Sequence, residues 1–481
     1  MHQRPLHQRT LLAAAACAAT ALAVTGAATA TAGAAPAQVT AHAATAPVAA
    51  TPRTADYNGD GYPDLAVSAH TATVGGIKRA GAIAVAYGSP KGLRYDTATV
   101  VSEASEGVPG DPVENGRWRE NTAFGDLDGD GYDDLVLHWN YKDFTEVVWG
   151  GPKGLVGPGT LITGSGTPAD PSVQGGWNAG VGDVDGDGTD DLVTVGRDGG
   201  PAGDGISVRL GPLDRTTGKA TRVWHRKTDT LDGVDPGAVF VGDTTGDGRA
   251  DISMNGWGGH LVLKGSAKGL VRGAKIQTDH HGASSFAFGD LDKDGYQDLV
   301  LSWDQLWFYP GGPDGLSTTK KPRVLPQVTS GSRWNEEHYG DALAIGDTDR
   351  DGYPDLVVGA PYLGGAHGTP TWRAGGVAVL RGSASGPTAT RAKIFTQNSA
   401  GIPGSSEVDD HFGSALALID SDRNGSPELY VGGNGEDRYR GRVWRLPATR
   451  TGLTGTGATS FTLTDLGGPA GPANFGYRFS G

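Results

Sequence analysis

The chain has 481 residues, 54 acidic against 40 basic, for a formal net charge of −14, and a single cysteine. That balance excludes a nucleic-acid-binding protein, which needs a basic face toward phosphate. Beyond residue 30 no apolar run is long enough to span a bilayer, and with Cys17 as the lone thiol the chain can form no internal disulfide.

The first element in chain order is a secretory signal, residues 1–30. Arg4 and Arg9 precede an apolar stretch from Leu11 to Val24, and Ala28-Thr29-Ala30 offers a small-residue cleavage site. The two arginines are not adjacent, so a twin-arginine signal is not formed. Ala14 stands where a lipobox requires leucine, which argues against lipidation of Cys17. Residues 31–54 are almost entirely Ala, Thr and Pro and read as a flexible linker. The expected location is secreted or extracellular. A disulfide-free domain there needs another stabiliser, and metal ions are the candidate.

From Asp56 onward a short acidic loop recurs seven times. Each copy places oxygen-bearing side chains at positions 1, 3, 5 and 9 and glycine at position 6. The first loop has Asp56, Asn58, Asp60 and Asp64; the second Asp126, Asp128, Asp130 and Asp134; the third Asp183, Asp185, Asp187 and Asp191. The fourth has Asp243, Thr245, Asp247 and Asp251; the fifth Asp290, Asp292, Asp294 and Asp298. The sixth has Asp347, Asp349, Asp351 and Asp355, and the seventh Asp420, Asp422, Asn424 and Glu428. Hard oxygen donors on a tight glycine turn suit Ca2+, whereas Mg2+ demands a stricter octahedron and keeps its waters. Carboxylates packed this closely repel one another unless a cation intervenes. Seven divalent ions would offset nearly all of the chain's net charge, so the acidity points to metal. Solvated Asp/Gly turns are the bland alternative, and register over seven copies argues against it. An EF-hand is excluded because position 9, not position 12, closes the loop, and β-like runs flank it. Up to seven Ca2+ ions are expected, with the first, fourth and seventh loops weaker for want of a fourth carboxylate, and the fourth weakest because Thr245 is neutral.

Short apolar runs punctuated by Gly and Pro surround every loop and read as strands. Phe286-Ala287-Phe288 and Leu416-Ala417-Leu418 precede loops; Leu135-Val136-Leu137 and Leu356-Val357-Val358 follow them; Ile83–Tyr87 and Val377–Leu380 come third, each leading into a turn such as GSPKGL at Gly88; Ile394-Phe395-Thr396 comes fourth. Repeats of this length and content predict four-stranded units, which close into a propeller or stack into an open solenoid. Closure is favoured by the ends of the pattern. Low-complexity sequence runs straight into the first loop, and Asn474–Ser480 looks like a strand that precedes a loop, so the C-terminal segment is expected to complete blade one.

Tyr339-Gly340 before the sixth loop, Gly359-Ala360-Pro361 after it and Phe412-Gly413 before the seventh resemble the FG-GAP repeat (also called VCBS-type) of integrin α-subunit propellers and many secreted bacterial proteins. The resemblance covers residues 56–481. It implies an all-β, seven-bladed β-propeller whose metal loops join the first and second strands of each blade on one face, and a role in extracellular binding or cell adhesion. In the middle repeats His138-Trp139-Asn140 and Ser302-Trp303-Asp304 replace Gly-Ala-Pro. No RGD and no DxSxS motif is present, so integrin partner chemistry does not transfer.

The ligand is left open between an extracellular glycan and a protein, with a monomer as the expected state. Trp139, Trp257 and Trp303 follow second strands, and Trp118, Trp177 and Trp334 stand shortly before Asn121, Asn178 and Asn335. Such tryptophans either fill space between blades or stack on sugar rings beside amides, a lectin-like alternative. No catalytic set emerges: there is no G-x-S-x-G, no H-E-x-x-H and no cysteine nucleophile after residue 30. His280, His281 and His338 read as isolated surface histidines. A hydrolase or lyase site for extracellular polymer or lipid, assembled from distant blades, is the remaining alternative.

Overall fold

Seven four-stranded antiparallel sheets follow one another along the chain and make up a β-propeller. The computed structural model describes residues 53–480 except 117, 119–120, 139–143, 164–178, 197–204, 278–284, 304 and 329–337. The segment expected to be a signal, 1–30, and most of the one expected to be a linker, 31–54, lie outside the described residues.

The sixth blade shows the common plan. Its strands Leu343–Gly346, Asp355–Ala360, Gly376–Arg381 and Thr388–Phe395 pair in sequence order. Second strands such as Leu65–Ala69, Asp298–Ser302 and Asp355–Ala360 are buried at every residue. Each blade is covered on both faces by its neighbours, so these strands are continuous apolar runs rather than alternating ones. The fourth strand, Thr388–Phe395, is on the rim and mostly solvated.

The buried apolar residues form seven clusters, and each cluster joins two successive blades. Among the described residues the apolar core lies in these seven wedges between sheets. The first strands ring the axis. Asn121–Gly125 touches Ala179–Gly182, which touches Asp235–Gly242, and Ser285–Gly289, Leu343–Gly346 and Phe412–Ile419 continue the series. Phe240 stacked on Phe288, with centroids 4.2 Å apart, links the fourth and fifth blades.

The ring closes through Phe479–Ser480, which pairs antiparallel with Ala66 and Val67 of blade one. This is the expected closure, with one correction. Within Asn474–Ser480, only the last two residues form a strand. Asn474-Phe475-Gly476 instead repeats the turn of His411-Phe412-Gly413 and His338-Tyr339-Gly340. In all three the first residue and the glycine take positive φ, from +49° to +102°. Glycine in these motifs also allows contact between successive blades. A Cβ on Gly413 would lie 2.5 Å from the Gly376 carbonyl oxygen, and one on Gly340 would lie 2.5 Å from Ser302 Oγ.

Candidate metal loops and the opposite face

Six of the acidic loops connect the first strand of a blade to its second, and the loop at Asp56 leads into the second strand of blade one, whose first strand is the C-terminal Phe479–Ser480. They therefore share one face. Their conformation is set by two carboxylates. The position-1 aspartate accepts the N–H of the position-6 glycine in every copy, at 2.8–3.1 Å. That glycine has φ between +81° and +93° in each copy, a region closed to most side chains. The position-9 carboxylate points inward. Asp134, for example, accepts Leu127 N at 2.9 Å and Gly150 N at 2.9 Å, tying the loop to the turn after the third strand. Asp64, Asp134, Asp191, Asp251, Asp298 and Asp355 have no exposed surface, and Glu428 almost none.

Side-chain oxygens converge in five loops. The groups are Asp126, Asp128 and Asp134; Asp183, Asp185 and Asp191; Asp290, Asp292 and Asp294; Asp347, Asp349 and Asp351; and Asp420, Asp422 and Glu428, with the oxygens of each group within 4.8 Å of one another. Among the described residues, no such carboxylate group forms in the first and fourth loops, the copies with Asn58 and Thr245 at position 3. The arrangement fits a cation. Asp185 Oδ1 is buried without a hydrogen-bond partner, as is Thr245 Oγ1 in the fourth loop. A buried oxygen left so is costly unless something electropositive reaches it.

The loops also bond to each other around the ring. Asp133 N donates to Asp56 O at 3.1 Å, Asp190 N to Asp126 O at 3.1 Å and Ala250 N to Asp183 O at 2.8 Å. The position-8 acids Asp133 and Asp190 cap the Asp56 and Asp126 amides at 2.8 Å, and Arg53 bridges both acids. The doubled aspartates of DGYDDL and DGTDDL carried this signal in the sequence, and the ligand pattern obscured it. Basic side chains reach several cradles from the rim. Arg215 contacts Asp128 and Asp130, and Lys320 contacts Asp292 and Asp294.

Burial pushes the position-9 carboxyls upward: Asp64, Asp134 and Asp298 to about 8, Asp191 to about 7 and Asp251 to about 6. Neighbouring loop carboxylates act in the same direction. The sign follows from linkage. A folded-state value above the ordinary one near 3.8 means that the folded protein holds protons the unfolded chain has released. That stability is complete below the unfolded value and is lost as pH rises through the folded values. Cation-stripped protein is therefore expected to melt at progressively lower temperature from about pH 4 to about pH 8, and added Ca2+ to reverse the slope, because metal binding requires deprotonated ligands. Thermal scans across that window with and without Ca2+ check both signs.

At the other end of the blades, residues ahead of the first strands meet those following the second strands. There a depression of about 390 Å3 is lined by His338, Asp341, Tyr362, His411, Tyr477 and Arg478, among others. Tyr362 lies between His338 and His411, with centroids 4.3 Å and 4.9 Å away. His70 packs on Tyr477 at 4.1 Å. His338 Nδ1 is 2.8 Å from Asp341 Oδ2. Burial raises the Asp341 carboxyl and lowers the His411 imidazolium. His338 is thus not isolated, contrary to expectation. The missed signal was the residue immediately before each aromatic-glycine pair.

The tryptophans fare differently. Trp118 is buried between the first two blades and its Nε1 donates to Glu146 at 3.2 Å, so it fills space and is not a sugar platform. Trp303 is 41% exposed. Trp139, Trp177 and Trp334, like His280 and His281, lie outside the described residues, as does the side chain of Trp257. Among the described residues no helix is long and apolar enough to cross a membrane.

Residues 49–85 and 339–380 match the FG-GAP repeat family. Integrin alpha-PS2 of Drosophila melanogaster is 29% identical over 221 residues, covering 42% of this chain and 15% of that protein. Integrin alpha-6 of Homo sapiens is 32% identical over 167 residues, covering 31% of this chain and 12% of that protein. The chain thus spans less than one fifth of the length of these relatives. A lectin of Agrocybe aegerita overlays at a TM-score of 0.48 with 15% identity, over 84% of this chain and 91% of the lectin, too loosely to argue from. With matched repeats, integrin α relatives over part of the chain and seven blades in a ring, the chain is a β-propeller that carries FG-GAP repeats and is similar to integrin α subunits.

Proposed function

We propose that the protein is a secreted, calcium-binding propeller that acts as an extracellular binding or adhesion module. The observation behind the metal reading is the convergence of loop carboxylates in groups that leave buried oxygens such as Asp185 Oδ1 without a partner. In this reading the second, third and fifth loops, with four carboxylates each, bind Ca2+ most tightly, and the first, fourth and seventh more weakly. The ions stabilise the ring and take no part in chemistry. The partner, a glycan or a protein, contacts the face opposite the metal loops, where imidazole, phenol, carboxylate and guanidinium groups line one depression.

The test is a glycan and protein array probed with the calcium-loaded protein, followed by Tyr477→Ala and His338→Ala. Each substitution is expected to weaken capture about tenfold or more, as loss of a central contact does, without changing the melting temperature by more than a few degrees. Capture unaffected by either change would place the ligand elsewhere, and silence on both arrays would contradict a binding module.

A further inference from the structure

The sixth loop, DTDRDGYPD, matches the ligand pattern as well as any, yet what faces its carboxylates differs. Arg381 ends the third strand of that blade. By strand register the same position holds Tyr87, Trp149, Leu210 and Lys264 in the first four blades and proline in the fifth and seventh. The Arg381 side chain is only 5% exposed. Its Nη1 lies 3.0 Å from Asp349 Oδ2, at position 3, and 2.9 Å from Asp355 Oδ2, at position 9. Nη1 also donates to Thr348 Oγ1 at 3.2 Å, and Nη2 to the Thr451 carbonyl of the next blade at 2.9 Å. Gly452 closes over the guanidinium so tightly that a Cβ there would meet Nη2 at 2.2 Å.

These contacts separate Arg381 from the basic residues at other loops. Arg215 and Lys320 have side chains 37% and 45% exposed and can withdraw to water when a cation arrives. Arg381 has no such exit. A Ca2+ ion taking oxygens from Asp349 and Asp355 would lie against a fixed like charge in a dry site, or would strand that charge without its partners.

We infer that the sixth loop is not a calcium site and that the Arg381 guanidinium is its built-in cation, joining Asp349 to Asp355 and the sixth blade to the seventh. The inference rests on the calcium reading of the other loops. Asp347 Oδ1 is the one buried oxygen of this loop left unpartnered, and any ion bound there would have to use it.

The experiment is calcium content per chain, by titration calorimetry and elemental analysis, for the native protein and three variants. Asp351→Ala removes the exposed position-5 carboxylate of the sixth loop, which does not touch Arg381; Asp187→Ala removes its counterpart in the third loop; Arg381→Met removes the guanidinium. The expected result is no change for Asp351→Ala, one ion fewer for Asp187→Ala and one more for Arg381→Met. Loss of an ion in Asp351→Ala overturns the inference and leaves the calcium reading intact. No ion in the native protein, or no loss in either alanine variant, overturns both. Should Arg381→Met not fold, the two alanine variants decide alone.

Discussion

Removal of residues 474–481 is expected to lower the melting temperature by roughly 8 °C. Phe475 is fully buried in the wedge between blades seven and one, edge-on to Phe461 with centroids 5.9 Å apart. Truncating a buried phenylalanine costs about 3–5 kcal/mol. The deletion also removes Phe479, the strand pairing to Ala66 and Val67, and the Gly476 N–H to Ser68 carbonyl bond at 3.1 Å. Together these losses come to about 7 kcal/mol. For a domain of about 430 residues, 1 kcal/mol corresponds to about 1 °C. Phe475→Ala alone is expected to account for about half the shift. Calorimetry of the two variants checks the ratio, and an unchanged melting temperature on truncation would contradict closure of the ring by this segment.

The blades were legible because the acidic loop marks a fixed point in each repeat and the apolar runs beside it have strand length. Leu135–Leu137, Val377–Leu380 and Phe286–Phe288 all lie within observed strands. The link between Asp56 at one end of the sequence and the C-terminal segment at the other was legible for the same reason: one blade lacked a strand and one strand lacked a loop. Contacts that depend on register across a sheet were not legible. Arg381 is 26 residues from Asp355 in sequence, and nothing in the loop pattern reports that a side chain from the third strand fills the cradle. The same holds for the His338, Tyr362 and His411 stack, which draws on two blades. Trp118 illustrates the converse, since an aromatic residue near an amide reads alike whether it faces solvent or, as here, packs inward against Glu146.

Stripping divalent cations is expected to produce the largest effect of all. An ion bound only by the folded state contributes about 2.7 kcal/mol when its concentration is a hundredfold above Kd. The second, third and fifth loops alone then contribute about 8 kcal/mol, or roughly 9 °C for a domain of this size. The effect extends beyond each loop because backbone bonds such as Asp133 N to Asp56 O and Asp190 N to Asp126 O connect one cradle to the next. Loosening of one is felt by its neighbours.

The central claim is that cations seated in these aspartate cradles hold a ring of otherwise disulfide-free blades together. Differential scanning calorimetry of chelator-treated protein, repeated after Ca2+ is restored, tests it most directly. The melting temperature is expected to fall by roughly 9 °C or more in chelator and to recover on adding Ca2+ but not Mg2+. Coincident transitions under all three conditions would contradict it.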